Sequence, residues 1–158
     1  MSALAEQDYN HITVTPMTGV LGAEIDGIDL TSHLGDRVIE ELEHAFAQHS
    51  VIVFRNQDMQ PEDQKRFTRL FGEFGVEPYV KTMPDHPEVI EVVKDKSEVG
   101  VKNFGGNWHS DWSFQAAPPR ATILHAKEVP PYGGDTLFAN MYMAYETLPP
   151  GMQRMLAG

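Results

Sequence analysis

"WHSDWSFQAAPPRATILHAKEVPPYGGDTLFAN", residues 108–140, is divided by two proline pairs and a glycine pair. Proline has no N–H to give a sheet ladder, so it marks strand ends and edges. Between Pro118-Pro119 and Pro130-Pro131, "ATILHAKEV" (121–129) is predicted to be a strand. After the Gly133-Gly134 turn, "DTLFAN" (135–140) is predicted to be another. Asn140 is then placed to cap a last helix holding Met141, Ala144 and Tyr145.

Toward the N-terminus the periodicity changes several times. "ITVTPMTGVLGAEIDGIDL" (12–30) reads as a strand, a turn and a second strand. "DRVIEELEHAFAQHS" (36–50) shifts to the helical period, with Val38, Ile39, Leu42, Ala45 and Phe46 on one face and acids opposite. "VIVFRN" (51–56) is a short apolar run, expected to be a buried strand. Pro61 opens a second helix, where its missing N–H costs little. Phe67, Leu70, Phe71 and Phe74 form its apolar stripe, and Gly75 is the expected stop. "EVIEVVKD" (88–95) is one more strand. The predicted class is α+β in a single domain, since 158 residues suffice for one core and are few for two.

Composition narrows the chemistry. Twelve Lys and Arg against 23 Asp and Glu give a net charge of −11, which disfavours nucleic acid and anionic membranes. There is no Cys, so disulfides, thiolate metal sites and Cys nucleophiles are excluded. A transition metal here must be held by His and carboxylate, a set that suits iron, manganese or zinc. "MSALAEQDYN" has neither the basic nor the apolar part of a signal peptide, and no apolar run reaches the length of a membrane span. A cytoplasmic protein is expected.

Within "NWHSDWSF" (107–114), His109 and Asp111 are two positions apart. In an extended chain, residues i and i+2 face the same way, so one short segment can offer an imidazole and a carboxylate to one ion. A third ligand from elsewhere would complete the 2-His-1-carboxylate facial triad of non-haem Fe(II) oxygenases. The spacing alone is weak, because this composition gives about 0.4 His-x-Asp matches by chance. His86-Pro87-Glu88 is a second His-x-acid match, set aside as a solvated turn at a strand start.

The order of several motifs is far more specific. W-H-S-D, Phe114 three residues after Asp111, Pro118-Pro119, "ILHAKEVP", "GGDTL" and an aromatic-rich helix follow one another. Together with "GAEIDGIDL", "HSVIVFRNQ" and "RLFGEFG", they resemble the taurine/2,4-dichlorophenoxyacetate (TauD/TfdA) dioxygenase family. The likeness runs from Ile12 onward. It implies a double-stranded β-helix (a cupin-like jelly roll) with flanking helices. It implies Fe(II) held by His109 and Asp111, and 2-oxoglutarate as co-substrate with its far carboxylate on the Thr136 hydroxyl. The implied reaction hydroxylates a small, anionic organic substrate with O₂ and releases succinate and CO₂.

The resemblance also bears on specificity. Trp112 and Phe114 would line the substrate side if the chain bends after Asp111. The positions matching the family's taurine-binding His and Asn are here Glu77 and Gly105, which argues against taurine itself. The family's second metal His and its 2-oxoglutarate Arg lie beyond the last residue, so residues 1–158 are expected to be the N-terminal portion of one dioxygenase domain, inactive alone. The expected partners are a small-molecule substrate and O₂, with no nucleic acid and no membrane, and with a homo-oligomer open for the full-length protein. Two other classes stay in play: a metal-dependent hydrolase on the same ligands, and a non-catalytic jelly-roll interaction fragment.

Overall fold

The computed structural model describes residues 8–76, 79–94, 97 and 105–158. The chain forms two compact units, residues 1–58 with 126–158, and residues 59–125.

The first unit is built on a three-stranded sheet in the order β1-β2-β3. β1 (Thr13–Pro16) runs antiparallel to β2 (Ala23–Asp26), with Thr13 opposite Asp26 and Pro16 opposite Ala23. Pro16 is accommodated because β1 is an edge strand. α1 (Asp36–His49) then carries the chain across to β3 (Ile52–Phe54), which pairs parallel to β2 with Ala23 opposite Ile52. Ser50, in the left-handed region at φ 64°, ends α1 and returns its N–H to the Phe46 carbonyl.

The predicted stripe of α1 faces inward: Leu42 and Ala45 are fully buried, and Val38, Ile39 and Phe46 are half-buried. Ile12, Ala23, Ile25, Leu30 and Leu34 complete the core. The acidic face differs from expectation at Glu41, which is only 5% exposed. Its Oε1 accepts from the Asn10 N–H at 2.9 Å and the His11 Nδ1 at 2.8 Å. Its Oε2 accepts from the N–H groups of His11 and Ile12 at 3.0 and 3.2 Å. Burial pushes this carboxyl up, but the bonds from the His11 ring and the three amides outweigh it and hold it at about 2.

Later in the same unit, Asn140 caps α3 (Met141–Glu146) as expected, accepting from the Met143 N–H at 3.0 Å. Its amide also donates to the Val20 carbonyl at 2.8 Å. α4 (Pro150–Ala157) follows, and the Gln153 amide bonds carbonyls at the end of α3. The predicted strand 135–140 does not form, and neither does 121–129: no ladder partner pairs with either among the described residues. A strand is half of a hydrogen-bonded pair, and β-propensity without a partner leaves a segment irregular. The α+β mixture holds, while the described sheets are a three-stranded and a two-stranded one.

In the second unit, α2 (Pro61–Arg69) starts at a capping box between Gln60 and Asp63, with Pro61 in its first turn. The helix ends earlier than Gly75. Leu70 and Phe71 already bond three residues back, to Phe67 and Thr68, so the last turn tightens and stops. Phe67 is buried edge-on to Phe71. β4 (Thr82–Met83) and β5 (His86–Ile90) form an antiparallel pair. Lys65 joins α2 to β5, lying 2.7 Å from Glu62 and 3.5 Å from Glu88. The segment after Pro119 is held to α2 by Gln64, whose amide donates to the Ile123 carbonyl at 3.2 Å. Arg120 donates to the Phe71 carbonyl at 3.3 Å.

Candidate metal centre

His109 and Asp111 lie in the second unit and meet through their side chains. His109 Nε2 is 3.1 Å from Asp111 Oδ1. The other ring nitrogen, Nδ1, is 2.7 Å from the Asn107 carbonyl oxygen. A carbonyl only accepts, so Nδ1 carries a proton there, and whenever the ring is neutral its lone pair lies at Nε2. Asp111 Oδ2 accepts a hydrogen bond from the Thr122 hydroxyl at 2.6 Å. Thus each of the two side chains is held from behind at one atom and offers the other.

Two lone-pair atoms 3.1 Å apart need something positive. A second ring proton would make an ion pair, and a metal ion would take that proton's place. Adjacent donors on an octahedral ion at ~2.1 Å each lie ~3.0 Å apart, so the observed separation fits chelation. The His109 side chain is 52% exposed and that of Asp111 35%, so an ion can reach both. Among the described residues no three His, Asp or Glu converge.

The neighbouring candidates fall as follows. The chain bends after Asp111: residues 111–114 form a turn, and Trp112 has φ 43°. Trp112 is half-buried, and Phe114 is exposed with its ring 6.2 Å from that of Tyr79. Gly105 has φ 67°, and a Cβ there would sit 3.4 Å from His109 Cε1. Glu77 lies outside the described residues. Thr136 is exposed and belongs to the other unit, with Gly133 and Gly134 before it at φ 79° and 74°. Of the pair set aside, His86 opens β5 with Nδ1 3.2 Å from Glu62 but misaligned for a hydrogen bond, and Glu88 turns to Lys65. Sequence reading missed Asn107 and Thr122. A main-chain carbonyl leaves no signature, and a threonine in "ATILH" looks like any β-branched strand residue.

Residues 13–158 match the family model for the taurine catabolism dioxygenase TauD, TfdA family. The chain belongs to this family. The family uses Fe(II) and 2-oxoglutarate. Among TauD/TfdA relatives, pentalenolactone F synthase of Streptomyces avermitilis is 37% identical over 86% of this chain and 47% of its own length. The alpha-ketoglutarate-dependent 2,4-dichlorophenoxyacetate dioxygenase of Cupriavidus pinatubonensis is 35% identical, over 93% of this chain and 56% of its own. The crystal structure of a taurine dioxygenase from Burkholderia xenovorans superposes with a TM-score of 0.81 at 32% identity, covering 94% of this chain and 52% of that one. The chain therefore spans about half the length of the relatives it matches. TauD-type neighbours have a cupin-like jelly-roll fold. No helix among the described residues is long and apolar enough to cross a membrane.

Proposed function

We propose that this chain is the N-terminal portion of a cytoplasmic Fe(II)- and 2-oxoglutarate-dependent dioxygenase that hydroxylates a small organic anion, releasing succinate and CO₂. The observation that carries the reading is the His109–Asp111 pair, with Nε2 3.1 Å from one carboxylate oxygen and Nδ1 bonded to the Asn107 carbonyl. In this reading the two side chains are metal ligands, and Thr136 bonds the far carboxylate of 2-oxoglutarate. The jelly roll closes with strands from further chain. The half-length match supports this, as do the exposed apolar side chains on α3 and α4, Met141, Tyr142, Met155 and Leu156 among them. Bound iron supplies the activation of O₂ that couples co-substrate decarboxylation to C–H hydroxylation. The protein's own part is to hold a neutral His109 in one tautomer, to fix Asp111, and to present Trp112 and Phe114 from the turn to the organic part of the substrate.

Relatives named for 2,4-dichlorophenoxyacetate and taurine act on small acids, which supports an anionic substrate. Gly105 brings no side-chain donor to an anion, so taurine is expected to be a poor substrate of the full-length protein. A panel of sulfonates, sulfate esters and aryloxy acids, scored by substrate-stimulated succinate release, tests the class of reaction and the choice of acid together. Turnover without 2-oxoglutarate or O₂ would mean a hydrolase instead. Residues 1–158 alone are expected to release no succinate above a no-protein control, and release that is lost in His109→Ala would overturn that expectation.

A further inference from the structure

We infer that Thr122 is a positioning residue that keeps Asp111 a one-oxygen metal ligand. The inference rests on the proposal that His109 and Asp111 hold Fe(II). A carboxylate can bind an ion through one oxygen or through both. Two-oxygen binding would use a coordination position that a facial site leaves open for co-substrate and O₂. Here the Thr122 hydroxyl donates to Oδ2 at 2.6 Å, while Oδ1 faces His109 Nε2 at 3.1 Å. The hydrogen bond occupies the oxygen that must stay off the metal and turns the other toward it.

The hydroxyl is itself held in place. Gln64, on α2, grips the carbonyl of the next residue, Ile123. Arg120, two residues before Thr122, bonds the Phe71 carbonyl just beyond the end of α2. Thr122 therefore approaches Asp111 from a segment fastened to a capped helix, and not from a free loop. His109 is held in the same way from Asn107. Such outer partners orient ligands and raise their affinity, and losing one typically costs 10–100-fold in metal binding.

The test is metal affinity in the full-length protein, titrated with Co(II) as an oxygen-stable probe of the ferrous site. Thr122→Val keeps the shape and deletes the hydroxyl; it is expected to raise the Co(II) Kd about 10–100-fold with an unchanged urea midpoint. Thr122→Ser restores the hydroxyl and is expected to restore the Kd to within about threefold. If Thr122→Val binds Co(II) like the wild type while Asp111→Ala does not, the positioning role is wrong and the metal reading survives. If Asp111→Ala also binds like the wild type, both fall. A Thr122→Val loss that serine does not rescue, or one that comes with a lowered urea midpoint, would assign Thr122 to packing and overturn the inference.

Discussion

His11 and Glu41 approach to 2.8 Å, and His109 and Asp111 to 3.1 Å, yet the two His–carboxylate pairs are built for opposite ends. Both Glu41 oxygens accept two donors each, three of the four being main-chain amides, and the side chain is buried. Asp111 receives one donor on its outer oxygen and leaves the inner one to a ring nitrogen that already has its proton on the far side. The first carboxylate has no capacity left for a ligand. The second has capacity, exposure and an orientation. The number and placement of donors, more than the distance between the partners, separates a structural pair from a candidate ligand pair.

The largest effect that would break this contrast is on the structural side. Glu41→Ala strands three amides and should cost on the order of 3–5 kcal/mol, read as the shift of the urea midpoint. A cost within the range of an ordinary surface change would mean that the buried carboxylate is not a keystone. On the other side, Asp111→Ala should weaken Co(II) or Fe(II) binding and substrate-dependent succinate release by about a hundredfold or more in the full-length protein. Its urea midpoint should move by no more than about 0.5 kcal/mol equivalent. Glu88→Ala should leave metal binding intact, because that carboxylate serves Lys65.

Acid sharpens the comparison. Glu41 titrates near 2 in the folded chain, below its ordinary 4.5. A depressed folded-state value means that its stabilisation is complete above about 4.5 and is lost as pH falls toward 2. That contribution is on the order of 3 kcal/mol. Urea midpoints measured across that window should fall in the wild type and stay flatter in Glu41→Gln; equal slopes would remove Glu41 from the account. The smallest expected effect is at Gly105. Alanine there must adopt φ near 67° with its Cβ 3.4 Å from the His109 ring. It should cost about 1 kcal/mol of stability, and metal affinity should fall with it if the ring is displaced.

What could be read from the sequence was what short-range chemistry decides. Pro61 and the Gln60–Asp63 box start α2, the Leu42–Ala45 stripe buries α1, and Asn140 caps α3, each through neighbours within a few residues. His109 and Asp111 are also local, two positions apart, but the spacing alone was weak, and it was the order of the surrounding motifs that singled the pair out. The misses are long-range. Glu41 looked like part of a solvated acidic face, because nothing near it announces amides some 30 residues earlier in the chain. Residues 121–129 read as a strand between two proline pairs, but a ladder needs a partner, and none pairs with them among the described residues. Gly75 resembled a helix stop, while the tightened turn at Leu70 had already ended α2.

The nested contacts around Asp111 also differ in how much chain must close to make them. His109 and Asp111 are two residues apart in the chain. Thr122 is 11 residues from Asp111, and Gln64 is 59 residues from Ile123. Closure entropy rises as (3/2)RT ln n, so the outermost contact costs about 1.5 kcal/mol more than the inner one to bring together. An unfolded chain therefore keeps the two donors within a short reach of each other, without their supports. Folding adds the supports, and a metal ion that favours the supported geometry stabilises the folded chain by that difference in affinity.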